Sequence, residues 1–327
     1  MKVGKIPETV LKRSVFKQIR HRRNEVLVRP GVGEDCSAIE LAEDEVCVLS
    51  TDPITGAIDE IGTLAVHITA NDIASSGAEV IGIMLSILLP YPAEEMELKR
   101  LIADIEKECA FLNVEIMGGH TEVTKAVNQP IVTVTGVGKI KKERLCATKG
   151  VKPGQEIVLT KWAGLEGTSI LANQKEDELK QRYSVDFIER AKALIQYISV
   201  IPEAKIAANL NVASMHDITE GGVFGALWEV GAASNVGLEV DLTKIPFKQE
   251  TIEICEFFDL NPYLFMSSGS LLVVTDEANR YVDELKKQGI RATVIGRITE
   301  GKDRVVINED ERRYLEPPKS DELYKVI

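Results

Sequence analysis

The stretch TANDIASSGA, residues 69–78, sets a polar pair, Asn71-Asp72, inside an apolar helical pattern in which Leu64, Ile68 and Ile73 recur near one face. A carboxylate in that position needs a partner or a metal, because burying an isolated charge costs several kcal/mol. Capping of a helix start by Asn71 or Asp72 is the alternative. Upstream, EVCVLST (45–51) is short, apolar and β-branched, and reads as a buried strand ending at Asp52-Pro53. Downstream, 80–89 is again strand-like. A helix is predicted over 94–113, with Leu98, Leu101, Ile102, Ile105 and Cys109 spaced as one buried stripe. Strands are predicted at 114–117 and 130–140. In the latter, Ile131 and Val137 point to one face and Val132 and Val134 to the other, the pattern of a strand covered on both sides.

A polar stretch, ATKGVKPG (147–154), then interrupts the pattern with turn-forming Gly150, Pro153 and Gly154. The boundary is placed there, giving domains 1–148 and 149–327. The second series begins with a strand at 156–160. Helices are expected near 165–174, 185–199, 203–209 and 223–234, and strands at 237–242, 270–275, 291–298 and 304–307. Both halves mix α and β, with helices expected on one face of each sheet, an α+β class.

At 327 residues, 44% hydrophobic and 28% charged, the chain has the balance of a globular protein with two domains. A net charge of −12 argues against broad binding to nucleic acid or to an anionic membrane. The stretch from Lys12-Arg13 to Arg20-His21-Arg22-Arg23 reads as a solvated basic helix face. No run approaches the ~18 apolar residues of a membrane helix, and the N-terminal residues show no secretory pattern. Five scattered cysteines without a CxxC pair fit reduced thiols in a cytoplasm.

Asn71-Asp72 is one of five acidic or glycine-rich turns, each set just after an apolar run. Gly31-Val32-Gly33-Glu34-Asp35 offers two adjacent carboxylates, which in a strand would point to opposite faces; an acidic surface turn is its bland reading. Asp52 is placed where ligands gather at strand ends, or it initiates a turn before Pro53. Gly118-Gly119-His120-Thr121-Glu122 follows a strand and can offer backbone N–H groups to an anion. His120 there is a metal ligand, a proton donor or a hydrogen-bonded loop histidine. His216-Asp217-Ile218-Thr219-Glu220-Gly221-Gly222 opens a helix, where a glycine pair allows close phosphate approach and aims the helix dipole at it; capping by Asp217 or Thr219 is the alternative. Ser267-Ser268-Gly269-Ser270 is a further small-residue loop. The carboxylates Glu34, Asp35, Asp52 and Asp72 repel one another and any phosphate. They make sense together if divalent cations sit between them and an anionic ligand, which points to a magnesium-dependent nucleotide enzyme. P-loop, GxGxxG and GxSxG motifs are absent from the sequence.

In order and spacing these turns resemble the superfamily of aminoimidazole-ribonucleotide synthetase (PurM-like), which includes hydrogenase maturation protein E, thiamine-monophosphate kinase and selenophosphate synthetase. The matching elements are Gly33-Glu34-Asp35, Thr51-Asp52, Asn71-Asp72, Gly118-Gly119-His120-Thr121 and Asp217 through Gly222. The second half is similar to the hydrogenase-maturation branch in Asn261-Pro262-Tyr263-Leu264, Ser268-Gly269 and Val294–Ile298. The chain departs from that branch in three ways. It begins KIPETVLKRS rather than with a glycine-rich segment. It ends DELYKVI with Cys255 as its last cysteine, so a substrate carried on its own terminal thiol is not expected. It has His120 where the loop acid stands, with Glu122 as the possible substitute.

The resemblance implies a two-domain fold whose N-terminal domains pair into a shared β-barrel in a homodimer. It implies ATP and Mg²⁺ as cofactors and transfer of the γ-phosphoryl group to an oxygen or similar acceptor, on a small molecule or a protein-borne group. Metal ligation falls to Asp35, Asp52 and Asp72 with Glu34 as auxiliary. Nucleotide contacts fall to Gly33, Asn71, Gly118, Gly119, Thr121, Gly221 and Gly222, and catalytic roles to Asp217 and His120. A small-molecule kinase resembling thiamine-monophosphate kinase, or a nucleotide-binding scaffold without turnover, are the alternatives.

Overall fold

The computed structural model describes residues 4–5, 7–30, 37–55, 58–317 and 320–327. Gly33, Glu34 and Asp35 lie outside the described residues. The chain divides into two units, Met1–Ile73 with Ala78–Leu145, and Ala74–Gly77 with Cys146–Ile327.

In the first unit the order is β1 (Gly4–Lys5), α1 (Glu8–Val10), β2 (Val26–Val28), β3 (Ala38–Ile39), β4 (Glu45–Thr55), α2 (Ile58–Ser75), β5 (Glu79–Pro90), α3 (Glu95–Leu112), β6 (Glu115–Thr124) and β7 (Ile131–Lys141). Five strands form one sheet in the order β1-β6-β5-β7-β4. The stripe predicted for α3 is buried as read. The helix opens on a capping box between Glu94 and Glu97 and closes on Asn113 in the left-handed conformation.

β4 is longer than expected and runs through Asp52-Pro53 to Thr55 instead of ending there. It is also an edge strand and not a buried one. Proline has no N–H to donate to a ladder, so it is tolerated within β4 because, among the described residues, only β7 pairs with that strand. Cys47, Leu49, Thr51, Pro53 and Thr55 form an exposed outer row, with Leu49 64% exposed. Likewise β7 is covered on only one side over much of its length. Val132 and Val134 are buried, while Ile131, Thr133 and Thr135 on the other face are half-exposed. The pair β2–β3 covers one end of this open face through Val26, which clusters with Ile81, Met117 and Val137.

The basic stretch also differs from expectation. Residues 17–25 are not helical, and two of their arginines are paired: Arg23 with Glu25 and Glu79, and Arg22, together with Arg29 further on, with the fully buried Glu115. Glu106 accepts hydrogen bonds from the amides of Arg20 and His21, at 2.6 and 2.5 Å. Buried carboxylates hold the segment to the unit through the backbone amides of Arg20, His21 and Arg23, while the side chains of Lys12, Arg13, Lys17, Arg20 and Arg22 are exposed.

The second unit contains β8 (Glu156–Thr160), α4 (Leu165–Gln174), α5 (Glu176–Leu179), α6 (Val185–Lys192), α7 (Ile201–Asn209), β9 (Ser214–Ile218), α8 (Gly222–Ser234), β10 (Gly237–Asp241), α9 (Gln249–Phe257), β11 (Ser270–Thr275), α10 (Ala278–Lys287), β12 (Ala292–Thr299), β13 (Arg304–Asn308) and β14 (Glu311–Tyr314). Its seven strands run in the order β14-β13-β10-β12-β8-β11-β9. Here helices lie on both faces, correcting the one-sided expectation. Ile157, Leu159, Leu272 and Val274 pack with Val223, Leu227 and Val230 of α8. The alternate residues Val158, Leu271 and Val273 pack with Ala204 and Ala207 of α7 and with Tyr281 and Leu285 of α10. A strand with apolar residues at successive positions, as β11 is, requires cover on both sides.

Candidate functional site

In the first unit, glycines decide how closely α2 lies on the sheet. A Cβ at Gly136 would stand 2.5 Å from the Thr69 side chain, and one at Gly138 would stand 2.4 Å from that of Ile73. The bare backbone of β7 therefore seats α2 directly upon it. Gly136 pairs in register with Ser50, and Val134 with Asp52. Residues two apart on a strand share a face, so Ser50 and Asp52 both face α2.

From α2, Asp72 reaches the same point. The Ser50 hydroxyl hydrogen-bonds to Asp72 and lies 3.3 Å from the Asp52 carboxylate. Two acids 20 positions apart in sequence are thus gathered around one hydroxyl. That hydroxyl has a single hydrogen to donate and cannot satisfy both carboxylates at once. The donor set is all oxygen and doubly negative, which suits a hard divalent cation. Neighbouring Asn71 is fully buried in α2. Among the described residues no three His, Cys, Asp or Glu side chains cluster as a metal site. A fuller acidic set would have to draw on the sequence around Glu34 and Asp35.

The GGHT segment is inside β6 and not in a loop after a strand. Gly119 has φ +145°, and a Cβ there would fall 1.9 Å from the Leu85 carbonyl oxygen, so glycine serves strand packing at this position. Gly118 faces the Met84 side chain across a bulge in the β5–β6 ladder. Thr121 is buried and pairs with Ile87. His120 pairs with Ser86, which pairs with Thr133, which pairs with Pro53, so His120 belongs to the open face of the sheet. The structure therefore separates His120 from Ser50 and Asp52, which point to the helix-covered face. Its Nε2 lies 3.2 Å from Glu122, on that same open face.

In the second unit, Asp217 is buried at 7% exposure on β9 and accepts a hydrogen bond from Ser75 at 3.2 Å. The predicted helix does follow this segment, but His216-Asp217-Ile218 is strand and α8 starts only at Gly222. Gly221 and Gly222 have φ of 79° and 58°. A Cβ on Gly222 would lie 2.7–2.8 Å from backbone atoms of Tyr263 and Phe265. His216 is engaged with Glu229 at 2.7 Å.

Three residues that the sequence reading did not single out complete this picture. Asp321 accepts hydrogen bonds from the amides of Gly221 (2.7 Å), Met266 (3.2 Å) and Leu323 (2.8 Å). Tyr324 donates its hydroxyl to Glu220. Glu166, in the first turn of α4, is buried with Oε2 lacking a hydrogen-bond partner among the described residues. Burial pushes its carboxyl up to about 7, against the opposing pull of a hydrogen bond from Ser268 and with the help of the nearby Asp321 and Glu220 charges. Burial raises Asp321 as well, although its three amide donors pull it down. Ser50 was legible in principle, being two residues from Asp52 on a strand. For Asp321 only the bond to Leu323 is local; its bonds to Met266 and Gly221 join segments 55 and 100 residues away and leave no signal in the sequence around it.

Two mixed α and β units, with an open-faced sheet in the first and a sheet covered on both faces in the second, make up a PurM-like two-domain fold. The family model described as AIR synthase related protein, N-terminal domain, matches residues 33–140, and the corresponding C-terminal domain matches residues 152–308. The chain belongs to the AIR synthase-related family. A putative hydrogenase expression/formation protein of Methanocaldococcus jannaschii is 26% identical, over 99% of this chain and 97% of its own length. Carbamoyl dehydratase HypE of Rhodobacter capsulatus is 28% identical, over 73% of this chain and 69% of its own. Among solved structures, hydrogenase maturation protein HypE in complex with ATP superposes with a TM-score of 0.81 at 20% identity, covering 98% of this chain and 97% of that one. No helix among the described residues is long and apolar enough to cross a membrane.

Proposed function

We propose that this protein is an ATP- and Mg²⁺-dependent enzyme that transfers the γ-phosphoryl group of ATP to an oxygen or similar acceptor, in the manner of a hydrogenase-maturation dehydratase. The observation that carries the reading is the convergence of Asp52 and Asp72 on the Ser50 hydroxyl. The relatives support it: one is named a carbamoyl dehydratase, and a protein of the same fold is described in complex with ATP.

Asp52 and Asp72 would hold Mg²⁺, with Glu34 and Asp35 completing the set. An ion held by these carboxylates would neutralise charge on the phosphate oxygens, which is most of what phosphoryl transfer asks of a protein. Ser50 orients the Asp72 carboxylate beside Asp52. Gly33, Asn71, Gly118, Gly119 and Thr121 are the nucleotide contacts of this reading. Gly221 and Gly222 at the start of α8 offer backbone to anionic oxygens of the substrates, and Asp217 is an orienting group. His120, on the open face, is assigned no proton transfer at the Asp52–Asp72 pair. That face, with Leu49, Thr51, Ser86 and Thr133, is instead the surface that closes against a second copy in a shared barrel. The acceptor is a small molecule or a group borne by another protein.

The test is thermal melting with ATP, with Mg²⁺ and with both. A ligand that binds only the folded state at a hundredfold excess over Kd stabilises it by about 2.7 kcal/mol. The expected result is a shift that needs both components and is lost in Asp72→Asn while circular dichroism is unchanged. Equal shifts in the wild type and Asp72→Asn would remove Asp72 from the site.

A further inference from the structure

The end of the second sheet from which α8 starts carries another built corner, to which the reading above gives no role. The turn after β8, Lys161–Gly164, meets the loop Ser267–Gly269 there, because β8 ends beside the start of β11 and the last residue of β9, Ile218, pairs with Ser270. This turn is pinned residue by residue. The Lys161 amide donates to the Arg291 carbonyl at 2.7 Å and the Ala163 amide to that of Pro246 at 3.0 Å. The Ser270 hydroxyl donates to the Trp162 carbonyl at 2.6 Å, and the Gly164 amide to Ser267 Oγ at 2.8 Å. Lys161 is buried, with its ammonium taken by the carbonyls of Tyr197 and Ser199 and by Glu203. A Cβ at Gly269 would lie 2.8 Å from the Tyr197 carbonyl oxygen, so the small-residue loop rests directly on Tyr197.

On this frame Trp162 and Tyr197, both half-buried, meet edge to face with ring centroids 5.3 Å apart. Lys248, the residue before α9, sits against both, with Nζ 3.7 Å from the Trp162 centroid and 5.7 Å from that of Tyr197. Among the described residues of this unit four lysines are not fully exposed: Lys161, Lys175, Lys192 and Lys248. The first three meet carboxylates at 2.7–3.3 Å. Lys248 is held by ring faces instead and meets no carboxylate among the described residues. The acids of this region are already engaged: Glu203 with Lys161, Glu250 with Arg190, Glu220 with Tyr324 and Asp321 with three amides. Glu166 is buried against Ser268, which suppresses its charge. The Trp162 indole N–H and the Tyr197 hydroxyl also lack acceptors among the described residues. An ammonium positioned by aromatic faces keeps both its charge and its hydrogens for a ligand.

We propose that Trp162, Tyr197 and Lys248 recognise the acceptor, a small molecule that joins a planar ring to a phosphate or carboxylate group, with the ring against the two aromatic side chains and the anion on Lys248. The proposal rests on the reading of this protein as a phosphoryl-transfer enzyme and gives its acceptor a chemical class. The ring gains aromatic contact with side chains that are already fixed, so little ordering is lost on binding. The anion gains a charge-assisted bond to Lys248. A bare inorganic anion gains only the second.

The experiment uses the full chain and two probes, phenyl phosphate and inorganic phosphate, at constant ionic strength. The chain has two tryptophans, so in Trp228→Phe the emission reports on Trp162 alone. The same probes are titrated by calorimetry into the wild type and Lys248→Gln, which decides the matter if Trp228→Phe folds poorly. The expected result is a saturable change in Trp162 emission with phenyl phosphate, which binds roughly three- to tenfold tighter than inorganic phosphate. Lys248→Gln should weaken phenyl phosphate by about tenfold. Lys205→Gln, at an exposed position on α7, should bind as the wild type does. Equal affinity for the two probes, binding indifferent to Lys248→Gln, or no saturation overturns the site. Displacement of phenyl phosphate by Mg·ATP gives the corner to the nucleotide and overturns its assignment to the acceptor. The melting shift with ATP and Mg²⁺ is followed alongside. Its persistence when phenyl phosphate fails leaves the phosphoryl-transfer reading standing, and its absence from the wild type removes that reading and the acceptor assignment with it.

Discussion

Glu166→Gln tests the electrostatics of the second unit with a sign that ordinary destabilisation cannot reproduce. The folded protein holds the Glu166 carboxyl up to about 7, against an ordinary value of 4.5, mainly because the group is buried. Below pH 4.5 both folded and unfolded chains carry the proton, so the shift has no effect on stability. Between about 4.5 and 7 the folded state keeps a proton that the unfolded chain has released, and stability falls as pH rises through that window. Above it the loss is complete, at roughly 3 kcal/mol from 1.36 kcal/mol per unit. Glutamine has the same shape and never ionises, so the variant escapes this loss. Any cost of fitting the amide beside Ser268 is independent of pH. The assay is the melting temperature of both proteins at pH 5, 6, 7 and 8. The difference, variant minus wild type, should rise by about 6–12 °C between the ends, taking about 2–4 °C per kcal/mol for a unit of this size. A difference that stays flat with pH, or that falls, would mean Glu166 is already ionised without penalty and the burial argument is wrong.

Gly119→Ala places a Cβ against the Leu85 carbonyl in a backbone conformation alanine rarely adopts, and should cost roughly 2–5 kcal/mol by urea unfolding. A loss under about 1 kcal/mol would show that β6 can shift away from β5 there. Light scattering should find twice the chain mass at micromolar concentration, and Leu49→Arg, on the exposed outer row of β4, should return it to a monomer. Wild-type monomer at that concentration would leave the open face without the partner assigned to it.

What the sequence made legible follows from which forces are local. The α3 stripe, the limits of α4 and β11, and the alternation of β7 all rest on side-chain period, and the structure keeps them. The extent of β4 was misread because Pro53 is a stop signal in a central strand and harmless at an edge, and edge position is decided by pairing far along the chain. The GGHT loop was misread for a similar reason. Gly119, which suggested a turn, is required because β5 and β6 approach too closely there for a side chain. α10 was missed although Ala278, Tyr281, Val282 and Leu285 are spaced for one face, a signal present in the sequence and passed over. Asp52 and Asp72 were found as residues, but their meeting was invisible without the β4–β7 register and the seating of α2.

That seating shows how backbone packing brings two like charges to one point. As a pair of carboxylates, Asp52 and Asp72 repel each other. What brings them together is backbone packing. Gly136 and Gly138 remove the side chains that would hold α2 off β7, Thr69 and Ile73 settle into the space, and Asp72 is carried to Ser50 by the rigidity of the helix. The apolar contacts supply the driving force, since Ala70, Ile73 and Val134 are all fully buried. The repulsion is small beside that burial, and under the proposed function a bound cation would relieve it. On this argument the carboxylates are preorganised by the fold and need not be gathered by the metal, so their spacing should persist in its absence. A polar site of this kind reads as weak motifs in sequence because the residues that position it, two glycines and a threonine, carry no chemistry of their own.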